Sequence, residues 1–178
     1  MDAIKALRSL RMTRHFTDRP ISEDMVAELL QVARWTGSSR NLQPWQFIVI
    51  RDRNVMMALG QASPNVSHVT GASLVFAVVM DGAENGTSYD AGRVSERVML
   101  AAHAFGLGTA VGFIQPSSEA TARAILSVPM DQSVRAVISM GYPAPVDPNA
   151  PKRAGAGRRP LHELVHYDTY GKRPAQPS

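Results

Sequence analysis

The stretch Ser38-Ser39-Arg40-Asn41-Leu42-Gln43-Pro44-Trp45-Gln46-Phe47 joins the stop of an amphipathic helix to the start of a strand. It is a loop positioned by two rigid elements, the usual setting for binding residues. Upstream, Ser22 is an N-cap, with Glu23 and Asp24 in the first turn where the helix dipole favours acids. Met25, Val26, Leu29, Leu30 and Ala33 form that helix's buried stripe, and Gly37 stops it. Downstream, Phe47-Ile48-Val49-Ile50 reads as a strand. Within the loop, hydroxyls and amides offer donors and acceptors, Pro44 fixes the backbone, and Trp45 seats the segment in the core. That kit suits the polar edge of a heteroaromatic ring. It also suits an amide-rich turn over a buried tryptophan, and composition alone leaves both readings open.

Further along, Val55 to Ala62 reads as a helix and Ser73 to Met80 as a strand buried by its unbroken apolar run. Asp81 to Tyr89, with Gly82, Asn85 and Gly86, reads as a mobile polar loop. Asp90 to Phe105 is a long helix with Val94, Val98, Ala101, Ala102 and Phe105 on one side, its alanines suited to close packing. Gly106 to Phe113 is a glycine-rich turn into an extended segment. A helix then runs from Pro116 through Leu126, and Val134 to Met140 is a strand. Ahead of all this, Asp2 caps a first helix with Ile4, Leu7 and Leu10 facing one way. Alternating helices and strands imply an α/β or α+β sandwich. Residues 143–160 read as a long surface crossing within one domain spanning 1–178, Leu161 to His166 as a short amphipathic piece, and 172–178 as a frayed tail.

At 178 residues the chain is long enough for one domain with a real core, and 44 % hydrophobic against 19 % charged residues excludes wholesale disorder. No apolar run is long enough to span a bilayer, and no secretory leader is evident, so a soluble cytoplasmic protein without membrane partners is expected. Cysteine is absent, which removes disulfides, thiolate metal sites and cysteine nucleophiles. His68, His103, His162 and His166 lack metal-ligand spacing, so no metal is expected. Gly106 and Gly108 follow a helix, whereas a dinucleotide fingerprint follows a strand. No aromatic platform accompanies the basic clusters, so no nucleic-acid partner is expected. Met25, Met56, Met57, Met80, Met99, Met130 and Met140 read as core.

The net charge of +4 rests almost wholly on arginine, since Lys5, Lys152 and Lys172 are the only lysines. Arginine's planar fork grips phosphate at two points. Arg11-Met12-Thr13-Arg14 places two such forks three residues apart on a turn, where they converge on one phosphate or stand as a solvated basic turn.

The ordered set of motifs resembles the nitroreductase family. Arg11-Met12-Thr13-Arg14-His15-Phe16 opens it and Ser38-Ser39-Arg40-Asn41-Leu42-Gln43-Pro44-Trp45-Gln46-Phe47 follows. Asp90-Ala91-Gly92 leads to Gly106-Leu107-Gly108-Thr109, and Arg158-Arg159-Pro160-Leu161-His162-Glu163-Leu164-Val165 closes. The resemblance implies an α+β fold with a mixed central sheet flanked by helices, and a homodimer with two FMN sites in the subunit interface. It implies that Arg11 and Arg14, with the Met12 backbone close by, hold the FMN phosphate. Ser38, Ser39, Asn41 and Gln43 would approach the flavin from the partner subunit. A backbone amide at Val111 or Gly112 would lie near flavin N5, and Arg158, with Arg159, would close on the phosphate. The implied activity is ping-pong hydride transfer from NAD(P)H through flavin N5 to a small-molecule acceptor such as a nitroaromatic or quinone. No side-chain acid or base is singled out as catalytic.

The sequence departs from the family pattern at Leu10, where a second basic residue is common, at Met12, where serine is common, and at Thr36-Gly37 in place of Ala-Pro. Arg8 is a candidate to supply the missing contact. Two other readings stand beside the reductase: a protein that sequesters flavin without nicotinamide turnover, and a specialised flavin-consuming member of the family.

Overall fold

β2 (Leu74–Asp81) is buried along its whole length except at Asp81. Leu74, Phe76, Val78 and Met80 enter one core cluster, and Val75, Ala77 and Val79 enter a second on the opposite face. An unbroken apolar run is what a strand covered on both sides requires. The computed structural model describes residues 2–82, 85–145 and 157–173. Within it β2 lies in a four-stranded sheet of order β1-β2-β4-β3, with β1 (Trp45–Ile50), β3 (Gly108–Phe113) and β4 (Gln132–Gly141). These four strands pair antiparallel throughout. Among the described residues, the parallel pairing is one isolated bridge, Met12 to Thr109, on the outer edge of β3. In β4 the register against β2 shifts by one residue, so that Ala136 faces Val78 while Val134 faces Val79, and Arg135 is the extra residue of a bulge.

Helices cover both faces, giving the expected α+β sandwich. On one side, Val26, Leu29 and Ala33 of α2 (Glu23–Arg34) and Val94, Val98 and Ala102 of α4 (Asn85–Ala104) meet the even-numbered side chains of β2. On the other lie α3 (Arg53–Ala62), the 3-10 segment Pro64–Gly71 and α5 (Pro116–Leu126), through Met56, Leu59, Val66, Val69 and Ala122. Helix starts follow the capping chemistry. Ser22 Oγ accepts from the Met25 amide, Asp2 Oδ1 from Lys5 ahead of α1 (Ala3–Ser9), and Asp52 Oδ1 from Asn54 ahead of α3. Contacts divide the chain after Ala144. In the second unit a 3-10 turn spans Leu161–Glu163, His166 stacks on Tyr170 at 4.3 Å, and the Gly171 amide donates to His166 Nδ1.

Several sequence expectations are corrected. The segment 81–89 is not a loop throughout: β2 continues through Asp81 and α4 begins at Asn85, five residues before the expected start at Asp90. Once the packed part of a helix has formed, extending it by a turn adds one hydrogen bond per residue, and local polarity is a weak brake. Phe105 lies past the end of α4 and is exposed. Ile4 and Leu7 are more than half exposed, because α1 turns only Ala6 into the core. Met57 and Met130 are exposed, unlike Met56, Met80, Met99 and Met140. Pro64–Gly71, which the sequence reading assigns to no element, is a 3-10 segment. Leu161 is exposed. Most of the crossing at 143–160 and most of the tail from 172 lie outside the described residues.

Two glycines predict opposite outcomes. A Cβ at Gly112 would lie 2.5 Å from the Asn65 carbonyl oxygen and 2.8 Å from Val66 Cγ1, because Pro64–Gly71 packs directly on β3. Gly112→Ala should therefore cost about 1–3 kcal/mol. A Cβ at Gly92, inside α4, meets nothing within 4 Å. Gly92→Ala should stabilise by about 0.5–1 kcal/mol. Urea denaturation of both variants checks the pair.

Candidate functional site

The arginine segment is built onto the outer edge of β3. The Thr13 amide donates to the Thr109 carbonyl at 2.7 Å, and further on the Thr17 amide donates to the Tyr142 carbonyl and Ala144 to that of His15. Such close docking depends on glycine. A Cβ at Gly108 would lie 2.7 Å from Thr13 Cβ, and one at Gly141 2.8 Å from Phe16 Cβ. Arg11 and Arg14 are both exposed. Arg11 donates to the Arg8 and Leu10 carbonyls, closing the end of α1 with part of its guanidinium. The Arg14 side chain has no hydrogen-bond or ion-pair partner among the described residues.

Strand alternation decides which backbone amide the edge presents. Thr109 accepts from outside the sheet, whereas the Ile114 amide donates inward to the Arg135 carbonyl of β4. Odd-numbered residues of β3 therefore turn their backbone groups away from β4. The outward amide belongs to Val111, two residues and roughly 7 Å along the edge from Thr109. Gly112 points its amide into the sheet, and its missing side chain is accounted for by Asn65.

The loop Ser38–Gln43 lies elsewhere. Ser38 Oγ accepts from the Gln43 amide at 2.9 Å, Gln43 Nε2 donates to the Asn41 carbonyl, and residues 39–43 are exposed while Ser38 is half-buried. Arg40, Asn41 and Gln43 have φ of 49°, 56° and 49°. Left-handed backbone is costly for such residues and gathers at ligand-binding positions. Trp45 is buried, as expected, while Trp35 and Leu42 beside the loop stand open. The Asp81 amide donates to the Pro44 carbonyl, which ties the loop to the far end of β2.

Sheet register then measures the distance between the two groups. Thr109 pairs with Met140 and Met140 with Leu74, whereas Trp45 pairs with Met80 at the other end of β2. Four strand spacings across and six residues along place the arginine segment and the loop roughly 28 Å apart in one chain. The structure thus brings Arg11, Met12 and Arg14 together with Val111, and does not bring Ser38, Ser39, Asn41 and Gln43 to them. In the second unit Arg159 is ion-paired with Glu163 at 3.1 Å, while Arg158 is exposed.

From the sequence, His68 is weighed only as a metal ligand and lacks the spacing for one. Its Nδ1 lies 2.7 Å from Ser139 Oγ, which lies 3.3 Å from the Ala110 carbonyl, and its Nε2 is buried without a partner behind Gly112. Burial, with the Arg14 guanidinium adding to it, pushes His68 down from 6.5 to about 4. The field of Arg14 thus reaches the rear of β3. Only the fold brings residue 68 behind residue 112.

This donor set fits FMN. A phosphate dianion would meet the free guanidinium of Arg14 and the remaining donors of Arg11, and a ring nitrogen would meet the outward amide of Val111.

Comparison with known proteins gives the chain relatives in sequence and in fold. The sequence profile of the Nitroreductase family matches residues 7–81. A provisionally named NADH dehydrogenase/NAD(P)H nitroreductase of Archaeoglobus fulgidus is 30 % identical over 149 residues, covering 80 % of this chain and 86 % of that protein. The NADH dehydrogenase of Thermus thermophilus is 26 % identical over 184 residues, covering 81 % and 88 %. The solved FMN-dependent nitroreductase of Clostridium difficile R20291 superposes with a TM-score of 0.81 at 24 % identity, over 94 % of this chain and 99 % of that one.

Because the folded protein holds a proton off His68 until about pH 4 and the unfolded chain takes it up near 6.5, the unfolded state binds more protons between those values. Stability should fall as pH drops through that window. His68→Gln should flatten that part of a melting-temperature profile.

Proposed function

The chain belongs to the nitroreductase family, and on that premise we propose that it is an FMN-dependent oxidoreductase. It takes hydride from NAD(P)H and reduces a nitroaromatic, quinone or similar electrophilic small molecule. The observation that carries this reading is the layout of the β3 edge. Arg14, on the segment docked at Thr109, is a cation without a partner among the described residues, and the Val111 amide points outward about 7 Å further on. Phosphate grip and ring donor then fall along one rigid strand, as a phosphorylated flavin requires. Relatives named for NAD(P)H nitroreductase and NADPH-flavin oxidoreductase activities support the donor and the cofactor.

FMN, when bound, would supply the two-electron chemistry, and donor and acceptor using one site in turn would give ping-pong kinetics. The chain's own residues do the rest. Arg14, with Arg11 and the neighbouring Met12 backbone, would hold and neutralise the phosphate; in the second unit Arg159 is engaged by Glu163, while Arg158 is exposed. The outward Val111 amide would be the backbone donor offered to the ring. Ser38, Ser39, Asn41 and Gln43 serve the site of a second copy. Roughly 28 Å separates them from their own chain's arginines, and exposed Ile4, Leu7, Trp35 and Leu42 give a homodimer apolar surface to bury.

Visible spectroscopy tests the activity. Flavin bands in the purified protein should bleach on anaerobic addition of NADPH or NADH; bands that persist would reject nicotinamide as donor and favour sequestration. Mixed chains test the assembly. Arg14→Ala and Asn41→Ala should each lose flavin, the first by at least tenfold in affinity, as expected of a charge-assisted phosphate contact worth about 1.5–3 kcal/mol. Unfolded and refolded together, they should recover FMN in about one quarter of all sites, because each mixed dimer holds one intact site. No recovery would mean that each site is built by one chain.

A further inference from the structure

On the α4 face of the sheet, beneath the outer edge of β3, lies a cavity of about 500 Å³. Its floor includes the side chains of Val111 and Phe113, so it adjoins the strand edge that carries the proposed ring donor. Its far wall is the N-terminal half of α4, where Gly92 has open space at its Cβ position. Glycine weakens a helix interior relative to alanine, and no packing contact here requires it. What its missing side chain does is leave the hollow unfilled.

The second feature is Arg135. It is the extra residue of the bulge in β4, and its side chain lines the same cavity. Bulges re-aim side chains, and without this one the residue would follow the alternation of Ile138 and Val137 onto the opposite face. Its Nε is buried with no hydrogen-bond partner, and the side chain forms no ion pair among the described residues. Glu96, exposed on the α4 wall, is not paired with it. A guanidinium buried at its inner nitrogen within a mainly apolar hollow calls for an acceptor, and a carboxylate meets its fork with two oxygens.

We propose that this cavity receives the electron acceptor and that Arg135 selects acceptors carrying a carboxylate on a flat apolar body. The inference rests on the reductase reading for the word acceptor, but the cavity's preference for a carboxylate is testable without turnover. Benzoate and benzamide, which carry no reducible nitro group, are titrated into the purified protein by calorimetry. The nitro analogues 4-nitrobenzoate and 4-nitrobenzamide are compared in NAD(P)H-driven turnover.

Benzoate should bind at least about tenfold more tightly than benzamide. Arg135→Gln should erase that difference and raise the KM for 4-nitrobenzoate with kcat little changed. Gly92→Leu, which fills the hollow from the opposite wall, should block both benzoate and benzamide. Equal binding of the two by the unaltered protein would overturn the proposal, as would a preference that survives Arg135→Gln or benzoate binding that survives in folded Gly92→Leu. Arg135-dependent benzoate binding with no nitro reduction would leave the selectivity standing and remove nitroaromatics from the acceptors of the reductase reading. Nitro reduction with no carboxylate preference would do the reverse.

Discussion

The hydrogen bond from the Thr13 amide to the Thr109 carbonyl fixes what the rest of the site depends on. It lays the arginine segment along an edge that would otherwise be an open row of backbone groups. It also sets the phase of β3, because a strand that accepts from outside at residue 109 must present its next outward amide at 111. The docking leaves no room for side chains at Gly108 or Gly141. Three constraints scattered through the sequence, at the first turn and at two strand ends, are therefore one constraint in space.

The same sheet that aligns Arg14 with Val111 separates both from the Ser38–Gln43 loop. Such a loop holds costly backbone angles, exposed amides and neighbouring exposed apolar side chains, features that a solvated turn has no reason to keep. In the proposed homodimer a second copy would supply a reason, since one contact would then relieve exposed apolar surface and complete the proposed binding site. Under that proposal strand order, which places β1 and β3 at opposite edges, would link fold to assembly.

Much of this was legible in the residues. The unbroken apolar run of β2 announced a strand covered on both faces, and Ser22 with its two following acids located α2 within a residue. The motif arginines and the SSxNxQPW loop were identifiable as candidates from their side-chain chemistry. What could not be read was anything requiring strand order or register. Separation of the two motif groups, the outward phase of Val111 and the aim of Arg135 all follow from long-range pairing, which local periodicity does not encode. The exposed stripe on α1 marks the limit from the other side. The spacing of Ile4 and Leu7 identifies a face, but only the folded chain shows that its own core leaves that face uncovered.

The bulge at Arg135 carries a consequence for how this strand can change over evolutionary time. From Met140 back to Ala136, even-numbered residues face α4, yet Val134 belongs to the opposite cluster. Deleting residue 135 would restore strict alternation and an unbroken ladder with β2. A shortened gene would thus encode a more regular strand, with no residue at that point to reach the hollow beneath β3. Length at this position is inherited information as much as identity is: substitutions alter what the hollow meets, whereas loss of a single codon would remove the reach itself.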